Sequence, residues 1–342
     1  MTRIRFARLA LRLGAIAVLT GRVTLANADL PMIRLWPGDP PCETTLQACV
    51  DGAGPRDGIR IATDGPIWET ITFSKPLALT AQPGFEPIFL GDGTFASTSD
   101  SGDQSIRIQG LGSAIEVDDL DDDASVDVIG NRIAGTDYDS GIELYGSGAG
   151  TLTARVLDNL VTGQNGTTGA PGAISAHASQ APLQLTIVNN TLASNDAGIL
   201  VGLNDASSTA VIANNALTHN VKGLVLDVAP GVNISERNEL FFGNASDVLG
   251  AVAGPNSVFA DPRYASGSDF HLQPGSPAID AGDDGSVPAD LTTDLERSPR
   301  IRGAHVDIGA YEAPEPSAEL SNAAAVFALA AGGVASTRRL LG

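Results

Sequence analysis

Three side chains that could exchange protons, Glu143, Tyr145 and His177, occur in two similar stretches of this 342-residue chain. Glu143 and Tyr145 belong to GIELYG, and His177 belongs to GAISAHA, which begins 31 residues later. A carboxylate, a phenol and an imidazole that face one another can act as general acid and general base. The trio is therefore a candidate catalytic set, provided that the fold brings the two stretches side by side.

The two stretches belong to an internal repeat. The segment LTIVNNTLASNDAGILVG (185–202) returns as AVIANNALTHNVKGLVL (210–226), with the shared pattern N-x-L-x-x-N-x-x-G-[IL] at a spacing of 25 residues. Each copy alternates apolar and polar residues, as a half-buried strand does, and is too short to bury its apolar face alone. Stacked copies would bury that face in one continuous core, which predicts a solenoid of strands.

One asparagine recurs directly after the first strand of each copy. Its positions, spaced by 28, 31, 25 and 23 residues, are Asn131, Asn159, Asn190, Asn215 and Asn238. Asparagine tolerates the left-handed backbone conformation of a tight corner, and stacked amides can hydrogen-bond from one coil to the next. We therefore expect these five residues to form a structural ladder along one corner, not an active site.

The second strand of each copy positions the candidate catalytic trio. If Ile142, Ile174, Ile199 and Leu224 face inward, one outward row is Glu143, Ser175, Leu200 and Val225, and the next is Tyr145, His177, Gly202 and Asp227. Neighbouring coils lie about 4.8 Å apart, so we expect Tyr145 beside His177 and Glu143 diagonal to it. Because Leu200 and Val225 end the polar patch after two coils, the pattern favours a binding or structural surface over a long catalytic cleft.

The charge of the chain excludes one class of partner. The net charge is −20, and residues 61–262 contain only six Lys or Arg. Nucleic acids and anionic membrane surfaces are bound through Lys and Arg, so we expect neither as a partner of the folded region. We also expect the protein to be a monomer.

An acidic run could collect Ca²⁺, which favours several oxygen ligands. It places five aspartates within six residues, Asp118, Asp119, Asp121, Asp122 and Asp123. The run lacks the glycine-punctuated spacing of a calcium loop, so a solvated acidic turn is the favoured interpretation.

Two cysteines, Cys42 and Cys49, precede the repeats. In one continuous helix their Cα atoms would be about 10 Å apart, which is beyond disulfide range. A capping-box pattern, TTLQ, makes Thr44 the predicted N-cap and places Cys42 in the loop before the helix. A disulfide is the favoured interpretation, and two free buried thiols are the alternative; neither suggests a metal site.

Residues 1–28 are predicted to be a signal peptide. Four arginines between residues 3 and 12 precede the apolar run LGAIAVLT, and the sequence A-N-A at 26–28 offers a cleavage site. This arrangement is typical of an export signal, and a disordered tail is the alternative. Removal of these residues would leave a net charge of about −25, because they contain five Arg and no acid.

The repeat and the segment before it resemble the right-handed parallel β-helix of the pectate-lyase-like superfamily, over about residues 42–250. TTLQACV (44–50) and the following stretch to residue 81 are similar to the capping helix and first coil of that family. The resemblance implies an all-β fold: a single right-handed parallel β-helix (a solenoid) over residues 29–250, with a short N-terminal capping helix.

The C-terminal third resembles two further families. FADPRYASGSDFHLQPGSPAIDAG (259–282) and VDIGAYE (306–312) are similar to the choice-of-anchor Q domain, which assigns residues 251–313 to a C-terminal closing domain. The P-E-P motif at 314–316, an apolar run and two arginines at 338–339 resemble the PEP-CTERM sorting signal. Residues 314–342 are therefore expected to make a transient membrane contact, with a disordered Ala-rich tail as the alternative.

Four aspartates in the closing domain invite a calcium interpretation. They are Asp261, Asp269, Asp280 and Asp307. In short loops such as GSPAIDAG, aspartate commonly accepts hydrogen bonds from nearby backbone amides. We expect that structural role for all four.

These resemblances imply an exported bacterial protein, located at the cell surface or extracellularly in a matrix. Hydrolases of the superfamily carry N-T-D, G-H-G and R-I-K signatures, and the repeats contain none of these. We therefore expect a non-enzymatic protein that binds glycans or a partner along its strand faces, with no cofactor and with Ca²⁺ as the only candidate ion. The alternative is a polysaccharide lyase or glycoside hydrolase that uses Glu143, Tyr145 and His177.

Overall fold

The computed structural model describes most of the chain between residues 31 and 314. The described ranges are 31–89, 94–98, 104–112, 114–120, 123–135, 140–146, 150–165, 172–179 and 181–314, and within them the side chains of residues 95, 97, 98, 104 and 118–120 are not described. The predicted signal peptide, and all but the first residue of the predicted sorting tail, lie outside the described residues.

One short helix and a long series of strands follow one another along the described ranges. Up to residue 120 they are β1 (Ile33–Trp36), α1 (Leu46–Gly52), β2 (Gly58–Ile61), β3 (Pro66–Ile67), β4 (Ile71–Phe73), β5 (Leu77–Ala81), β6 (Ile88–Phe89), β7 (Thr94–Thr98), β8 (Gln104–Gln109) and β9 (Ile115–Leu120). They continue as β10 (Ala124–Ile129), β11 (Arg132–Ala134), β12 (Ile142–Gly146), β13 (Leu152–Leu157), β14 (Leu160–Thr162), β15 (Gly172–Ala178), β16 (Leu183–Val188) and β17 (Thr191–Ala193). The remaining strands are β18 (Ala197–Leu203), β19 (Thr209–Ala213), β20 (Ala216–Thr218), β21 (Lys222–Val228), β22 (Asn233–Arg237), β23 (Leu240–Phe242), β24 (Ser246–Leu249) and β25 (Val258–Phe259), followed by a 3-10 turn at Asp284–Ser286.

The strands stack into three sheets. Sheet A has the order β1-β2-β5-β8-β10-β13-β16-β19-β22, sheet B has β11-β14-β17-β20-β23-β25, and sheet C has β24-β21-β18-β15-β12-β9-β7-β4; β3 and β6 pair with each other. Neighbouring strands run parallel, for example β10 with β13, β11 with β14 and β12 with β15. From β10 onward, each coil thus contributes one strand to each of the three sheets in turn, whereas the first coils contribute strands to sheets A and C. The chain is an all-β parallel β-helix, and the predicted solenoid fold class is confirmed.

The apolar residues that alternate along the strands fill the interior of the solenoid. In sheet C, successive coils place four fully buried residues in register, Ile142, Ile174, Ile199 and Leu224. One hydrophobic cluster of this kind extends from Trp36 to Phe241. Because apolar burial contributes roughly 25 cal/mol per Å², stacking of the coils is the main source of stability.

Helix α1 packs against the first coils and is linked to the preceding loop by a disulfide. Leu46 and Val50 are fully buried on its inner face. Cys42 lies before the helix and is bonded to Cys49, with their Cα atoms 4.3 Å apart. The bond crosses the helix start, so the loop and the helix are held as one unit.

The start of helix α1 differs from the prediction by one residue. Its N-cap is Thr45, whose hydroxyl accepts the backbone N–H of Ala48 at 3.1 Å. The prediction of Thr44 as N-cap is therefore wrong. The carboxylate of Glu69, more than twenty residues away, accepts the N–H of Leu46 at 2.9 Å, and a local capping-box pattern cannot include that partner.

Each coil turns from sheet A to sheet B through a pair of residues. The first residue of each pair has a left-handed backbone: Gly130 (φ 63°), Asp158 (φ 54°), Asn189 (φ 58°), Asn214 (φ 59°) and Asn238 (φ 52°). The second residue is buried, and these residues are Asn131, Asn159, Asn190, Asn215 and Glu239. The left-handed conformation expected at the ladder asparagines thus falls one position earlier in the chain.

The buried second residues form the ladder. Oδ1 of Asn190 accepts the backbone N–H and the side-chain Nδ2–H of Asn159, both at 2.9 Å. Asn215 does the same for Asn190, and the carboxylate of Glu239 does the same for Asn215. The placement of Asn238 in the ladder is therefore wrong, because a glutamate can accept the same two bonds and the correct rung follows Asn238 by one residue.

A second amide ladder lies at the corner between sheets B and C. Oδ1 of Asn220 accepts the backbone N–H and Nδ2–H of Asn195 at 2.9 and 3.0 Å. Asn244 does the same for Asn220 at 2.9 and 3.1 Å, and the backbone N–H of Gln164 donates to Asn195 at 2.9 Å. The second asparagine of the repeat pattern, Asn195 in one copy and Asn220 in the next, is visible in the sequence. The sequence analysis did not assign these residues to a ladder.

Glu239 gives the first ladder a pH dependence. The residue is fully buried, and burial raises the pKa of its carboxyl group well above 4.5, with Glu236 adding to the shift. Since the folded-state pKa exceeds that of the unfolded chain, the stabilisation is complete below the unfolded pKa and is lost as the pH rises through the folded pKa. In Glu239→Gln this loss is absent. We expect the free energy of unfolding of the variant, relative to the native chain, to rise by up to about 1.4 kcal/mol per pH unit above about pH 4.5.

Urea unfolding at a series of pH values measures this difference for Glu239→Gln. Glu43→Gln, at an exposed position, is the matched control. A difference between native chain and Glu239→Gln that is constant from about pH 4 to pH 8 would contradict the raised pKa.

Residues 260–313 form a strap that lies along the outside of the solenoid. Strand β25 still pairs with β23 of sheet B, so the coil pattern continues past the predicted boundary at residue 250. Ile308 of the strap and Leu240 of sheet B belong to one apolar cluster. Leu291 of the strap covers an outward apolar row of sheet A, formed by Ile129, Leu157, Val188 and Ala213. The segment predicted to be a closing domain thus lies against the side of the coils.

The left-handed corner residues hold the strap. Nδ2 of Asn214 donates to the carbonyl of Asp283 at 3.1 Å, and its Oδ1 accepts the N–H of Asp283 at 2.7 Å. Nδ2 of Asn189 donates to the carbonyl of Asp307 at 3.0 Å, and Asn238 donates to another strap carbonyl at 2.9 Å. The corner residues therefore combine a backbone role with a docking role.

At Asp158 the contact with the strap is ionic and buried. Nη1 of Arg300 donates to Oδ1 of Asp158 at 2.6 Å, and Nη2 donates to Oε1 of Glu312 at 2.6 Å. The three residues are 2%, 1% and 5% exposed, respectively. Burial raises the pKa of both carboxyl groups to about 7, against the opposing effect of the guanidinium.

Candidate functional site

The candidate trio lies on the outer face of sheet C. Strands β12 and β15 are parallel neighbours, and their register pairs Glu143 with Ser175 and Tyr145 with His177. Strand alternation buries Ile142 and turns its neighbour Glu143 outward. The structure therefore brings the three residues together on two adjacent coils.

The trio forms an aromatic pair with a carboxylate at its edge. Oη of Tyr145 donates to Oε1 of Glu143 at 2.5 Å. The rings of Tyr145 and His177 are stacked, with centroids 5.5 Å apart and an interplanar angle of 22°. All three side chains are half-buried. The hydrogen bond fixes the tyrosine, and the stacking fixes the histidine against it.

The imidazole of His177 is neutral at neutral pH. Burial lowers its pKa, and the negative charges of Glu143 and Asp227 oppose the shift without reversing it. Gly202 on the next coil makes room for the ring, because a methyl group there would lie 2.8 Å from Nδ1. A neutral imidazole can accept a proton or a hydrogen bond.

The polar patch is short. Ser175 is buried, and its Oγ accepts a hydrogen bond from Ser140 Oγ at 3.1 Å. The outward positions on the following coils are Leu200, Val225 and Leu249. The arrangement therefore offers a compact surface for a ligand of a few rings, bounded by an apolar row.

Most of the acidic run at 118–123 is not described in side-chain detail. Asp121 and Asp122 lie outside the described residues, and Asp118 and Asp119 lie in β9 without described side chains. Asp123 accepts the backbone N–H of Thr151 at 2.8 Å. Within the described ranges, no group of three or more His, Cys, Asp or Glu side chains is placed to hold a metal ion. For this run the solvated acidic turn stays the favoured prediction, and calcium binding stays its alternative.

The aspartates of the C-terminal segment cap turns. Asp261 and Asp269 each accept the N–H of the residue two positions further on. Asp280 accepts the N–H of Ala304 at 2.8 Å, and Asp307 accepts the N–H of Asp280 at 2.7 Å. The prediction that these four residues bind backbone amides is confirmed.

A groove of about 1000 Å³ lies between sheet A and the strap, and the sequence analysis did not predict it. Its lining includes four arginines, Arg60, Arg107, Arg132 and Arg297. Lys and Arg are scarce between residues 61 and 262. The few arginines there were therefore the feature of the sequence that could have indicated this groove. The site was missed because Arg297 reaches it only through the folding back of the strap.

Comparisons with known proteins bear on the fold alone. No protein-family model matches the sequence, and no curated protein matches it. Among solved structures, the crystal structure of pectate lyase Pel9A is similar, with a TM-score of 0.44 and 14% sequence identity, over 83% of this chain and 96% of that chain. The strand pairing described above establishes the parallel β-helix, and no residue role is transferred from that enzyme. In the part of the chain that the structure describes, no helix has the length and hydropathy of a membrane span.

Proposed function

We propose that this protein is exported to the bacterial cell surface or matrix, where it binds a glycan, as a monomer, on the outer face of sheet C without chemically changing it. The observation that carries the proposal is the stacked pair Tyr145–His177 with Glu143 hydrogen-bonded at its edge.

Aromatic rings and a carboxylate are suited to a sugar. The apolar face of a pyranose packs on an aromatic ring, whereas an ionised carboxylate accepts strong hydrogen bonds from hydroxyl groups. A few polar groups placed among apolar surface are also typical of small-ligand sites. The apolar row that begins at Leu200 limits the patch to a few sugar units.

Two features support export. The N-terminal residues have the pattern of a signal peptide, and Cys42 is bonded to Cys49. Disulfides persist in oxidising compartments outside the cytoplasm. A bacterial surface or matrix location is consistent with both features.

The second candidate is a polysaccharide lyase or glycoside hydrolase that uses the same face. The observation that favours it is Glu116, which lies in register with Glu143 on the preceding coil, because hydrolysis of a glycosidic bond commonly uses two carboxyl groups. Against it, Leu200 ends the polar patch on the coil after His177, so the face offers no long polar cleft for a polysaccharide.

Binding of the purified protein to a glycan panel tests the proposal. We expect Tyr145→Ala and His177→Ala each to weaken binding of the recognised glycan about tenfold, as loss of an aromatic anchor does. Gln184→Ala, at an exposed outward position of sheet A, is the control and should bind normally. A panel on which the native protein binds nothing would contradict a glycan ligand.

The same proteins decide between binding and catalysis. Release of reducing ends or unsaturated products by the native protein, abolished in Glu143→Gln, would establish the enzyme and overturn the non-catalytic proposal. We expect no product from either protein.

A further inference from the structure

A pocket of about 430 Å³ lies between sheet B and the strap, at the corner where the chain turns into sheet C. On the solenoid side it is lined by residues at the ends of β17, β20 and β23, namely Ser194, His219 and Phe242. On the other side it is lined by the strap segment at residues 261–273. The volume of this corner pocket is in the range of roughly 300–1000 Å³ that is usual for small-molecule sites.

Each side of the corner pocket contributes a pair of aromatic rings. The rings of His219 and Phe242 meet edge to face, with centroids 5.3 Å apart and an interplanar angle of 78°. The rings of Tyr264 and Phe270 in the strap meet in the same way, at 5.1 Å and 75°. A ligand ring between solenoid and strap therefore finds apolar contact surface on both.

The strap side of the pocket is held in place by backbone pairing. Tyr264 forms an antiparallel bridge with Leu272, and the N–H of Gln273 donates to the carbonyl of Arg263 at 3.0 Å. Leu272 packs in the same apolar cluster as Leu240 of sheet B. The segment is thus a closed hairpin that is anchored on the solenoid.

The imidazole of His219 is positioned by the next coil. It lies against Gly243, where a methyl group would come within 2.5 Å of Nδ1, and its other neighbour is the ring of Phe242. Both sides of the pocket are therefore formed before a ligand arrives, which lowers the entropic cost of binding.

Polar side chains with unused hydrogen-bonding groups line the same pocket. In the part of the chain that the structure describes, the side chains of Arg263, Gln273 and His219 make no hydrogen bond or ion pair. Asp261 accepts the N–H of Arg263 through Oδ1 at 2.8 Å, and its Oδ2 accepts nothing from the described residues. The pocket thus offers donors and acceptors together with the aromatic rings.

The balance of these groups defines the ligand. The charges of Asp261 and Arg263 cancel, so an anion would meet the carboxylate and a cation would meet the guanidinium. A wholly apolar ligand would leave the polar groups without partners, which is unfavourable. A hydroxyl group both donates and accepts, so a neutral ring with several hydroxyl groups matches both the rings and the polar side chains.

We propose that the corner pocket binds a neutral pyranose ring of a glycan. The apolar face of the sugar packs on Phe242 and Phe270, and its hydroxyl groups bond to Gln273 and Arg263. The site goes beyond the proposed function, because it is separate from the face that carries His177. That histidine is in register with Gly202, near the end of β18, whereas the pocket lies before the start of that strand.

Saturation-transfer NMR and titration with the methyl glycosides of glucose, galactose and mannose test the proposal. The pocket variant carries His219→Ala and Gln273→Ala, and the matched control carries Gln184→Ala and Asn233→Ala, at exposed positions of sheet A. We expect at least one glycoside to bind the native protein, and the pocket variant to bind it about tenfold more weakly. The control should bind within twofold of the native protein.

Two further variants separate the ring contacts and the two sites. Phe270→Leu keeps an apolar side chain but removes the ring face, and it should weaken binding about fivefold while the Tm shows that the strap remains docked. Gln273→Ala alone changes an exposed side chain and should weaken binding about threefold to fivefold without affecting folding. Tyr145→Ala should leave binding in the corner pocket unchanged.

Several outcomes would overturn the proposal. Absence of binding by all three glycosides would do so, as would equal binding by the native protein and the pocket variant. Tighter binding of methyl glucuronide or methyl glucosaminide would contradict the balance of charge. Preferential binding of phenylalanine, lost in the pocket variant, would assign the pocket to a zwitterion. Glycoside binding that is lost in Tyr145→Ala but kept in the pocket variant would overturn this inference and leave the proposed glycan face on sheet C intact.

Discussion

Replacement of Arg300 by methionine is expected to lower the free energy of unfolding by about 3–5 kcal/mol near neutral pH. Arg300 joins Asp158 of the corner to Glu312 of the strap by hydrogen bonds of 2.6 Å each. All three residues are 5% exposed or less. Methionine fills much of the same volume but leaves two buried carboxyl groups that must either stay charged without a counter-ion or take up protons. Removal of one partner from a buried ionic group is more costly than removal of the whole group.

Urea unfolding and limited proteolysis measure this effect. Arg60→Met, which removes an exposed guanidinium, is the matched control and should stay within about 0.5 kcal/mol of the native chain. Proteolysis of Arg300→Met should cut first within the strap, because the lost contact joins the strap to the coils. A stability loss below about 1 kcal/mol, as for a surface pair, would contradict the buried arrangement.

The same site predicts a pH dependence for Arg300→Met. Burial raises the pKa of Asp158 and Glu312 to about 7 even with Arg300 present, and without the arginine both values rise further. Stability linked to a raised carboxyl pKa is present at low pH and is lost as the pH rises through the folded-state value. We therefore expect a smaller penalty at about pH 5 than at about pH 8. Addition of Asp158→Asn and Glu312→Gln to the variant should restore much of the loss near neutral pH.

Replacement of Asn190 by alanine is expected to cost about 3 kcal/mol or more. Oδ1 of Asn190 accepts two hydrogen bonds from Asn159, and its Nδ2 donates to Asn215 and to the carbonyl of Val156. Alanine leaves these buried donors and acceptors without partners in the middle of the ladder, where water cannot replace the amide. Each unsatisfied buried group costs about 1–3 kcal/mol.

Thermal or urea unfolding of Asn190→Ala tests the ladder. Asn204→Ala, at an exposed loop position, is the control and should change the free energy of unfolding by less than about 0.5 kcal/mol. Equal stability of the two variants would mean that the ladder amides contribute no more than surface residues, contrary to their burial.

Repetition made the fold of this chain predictable. The register of β12, β15, β18 and β21 follows the alignment of their glycine and apolar residues, and the neighbouring positions of Tyr145 and His177 follow from it. Each copy has the same pattern of glycine, asparagine and apolar residues, so a strand that is ambiguous in one copy can be assigned by alignment with the next copy. Where the last copy differs, as at Asn238 and Glu239, alignment by residue type alone placed the ladder one residue too early.

Contacts between distant parts of the chain could not be predicted in the same way. Arg300 and Asp158 are 142 residues apart, and Arg155 and Asp290 are 135 residues apart. No local period links such residues, because their proximity depends on the path of the strap. The arginine groove and the buried ionic site were both missed for this reason, although their arginines stand out in an acidic chain.

The path of the strap has a consequence for how this protein can evolve. From the C-terminal coils the strap meets Asn238, then Asn214, and reaches Arg132 before it returns to Asp158 and Asn189. Repeat proteins in general gain or lose units easily, because each unit touches only its neighbours. Here a duplicated coil within this stretch would displace every later docking residue by about 4.8 Å against a strap of constant length. The length of the strap thus fixes the number of coils between its docking residues. Duplications or deletions of coils are tolerated only outside the stretch that the strap spans.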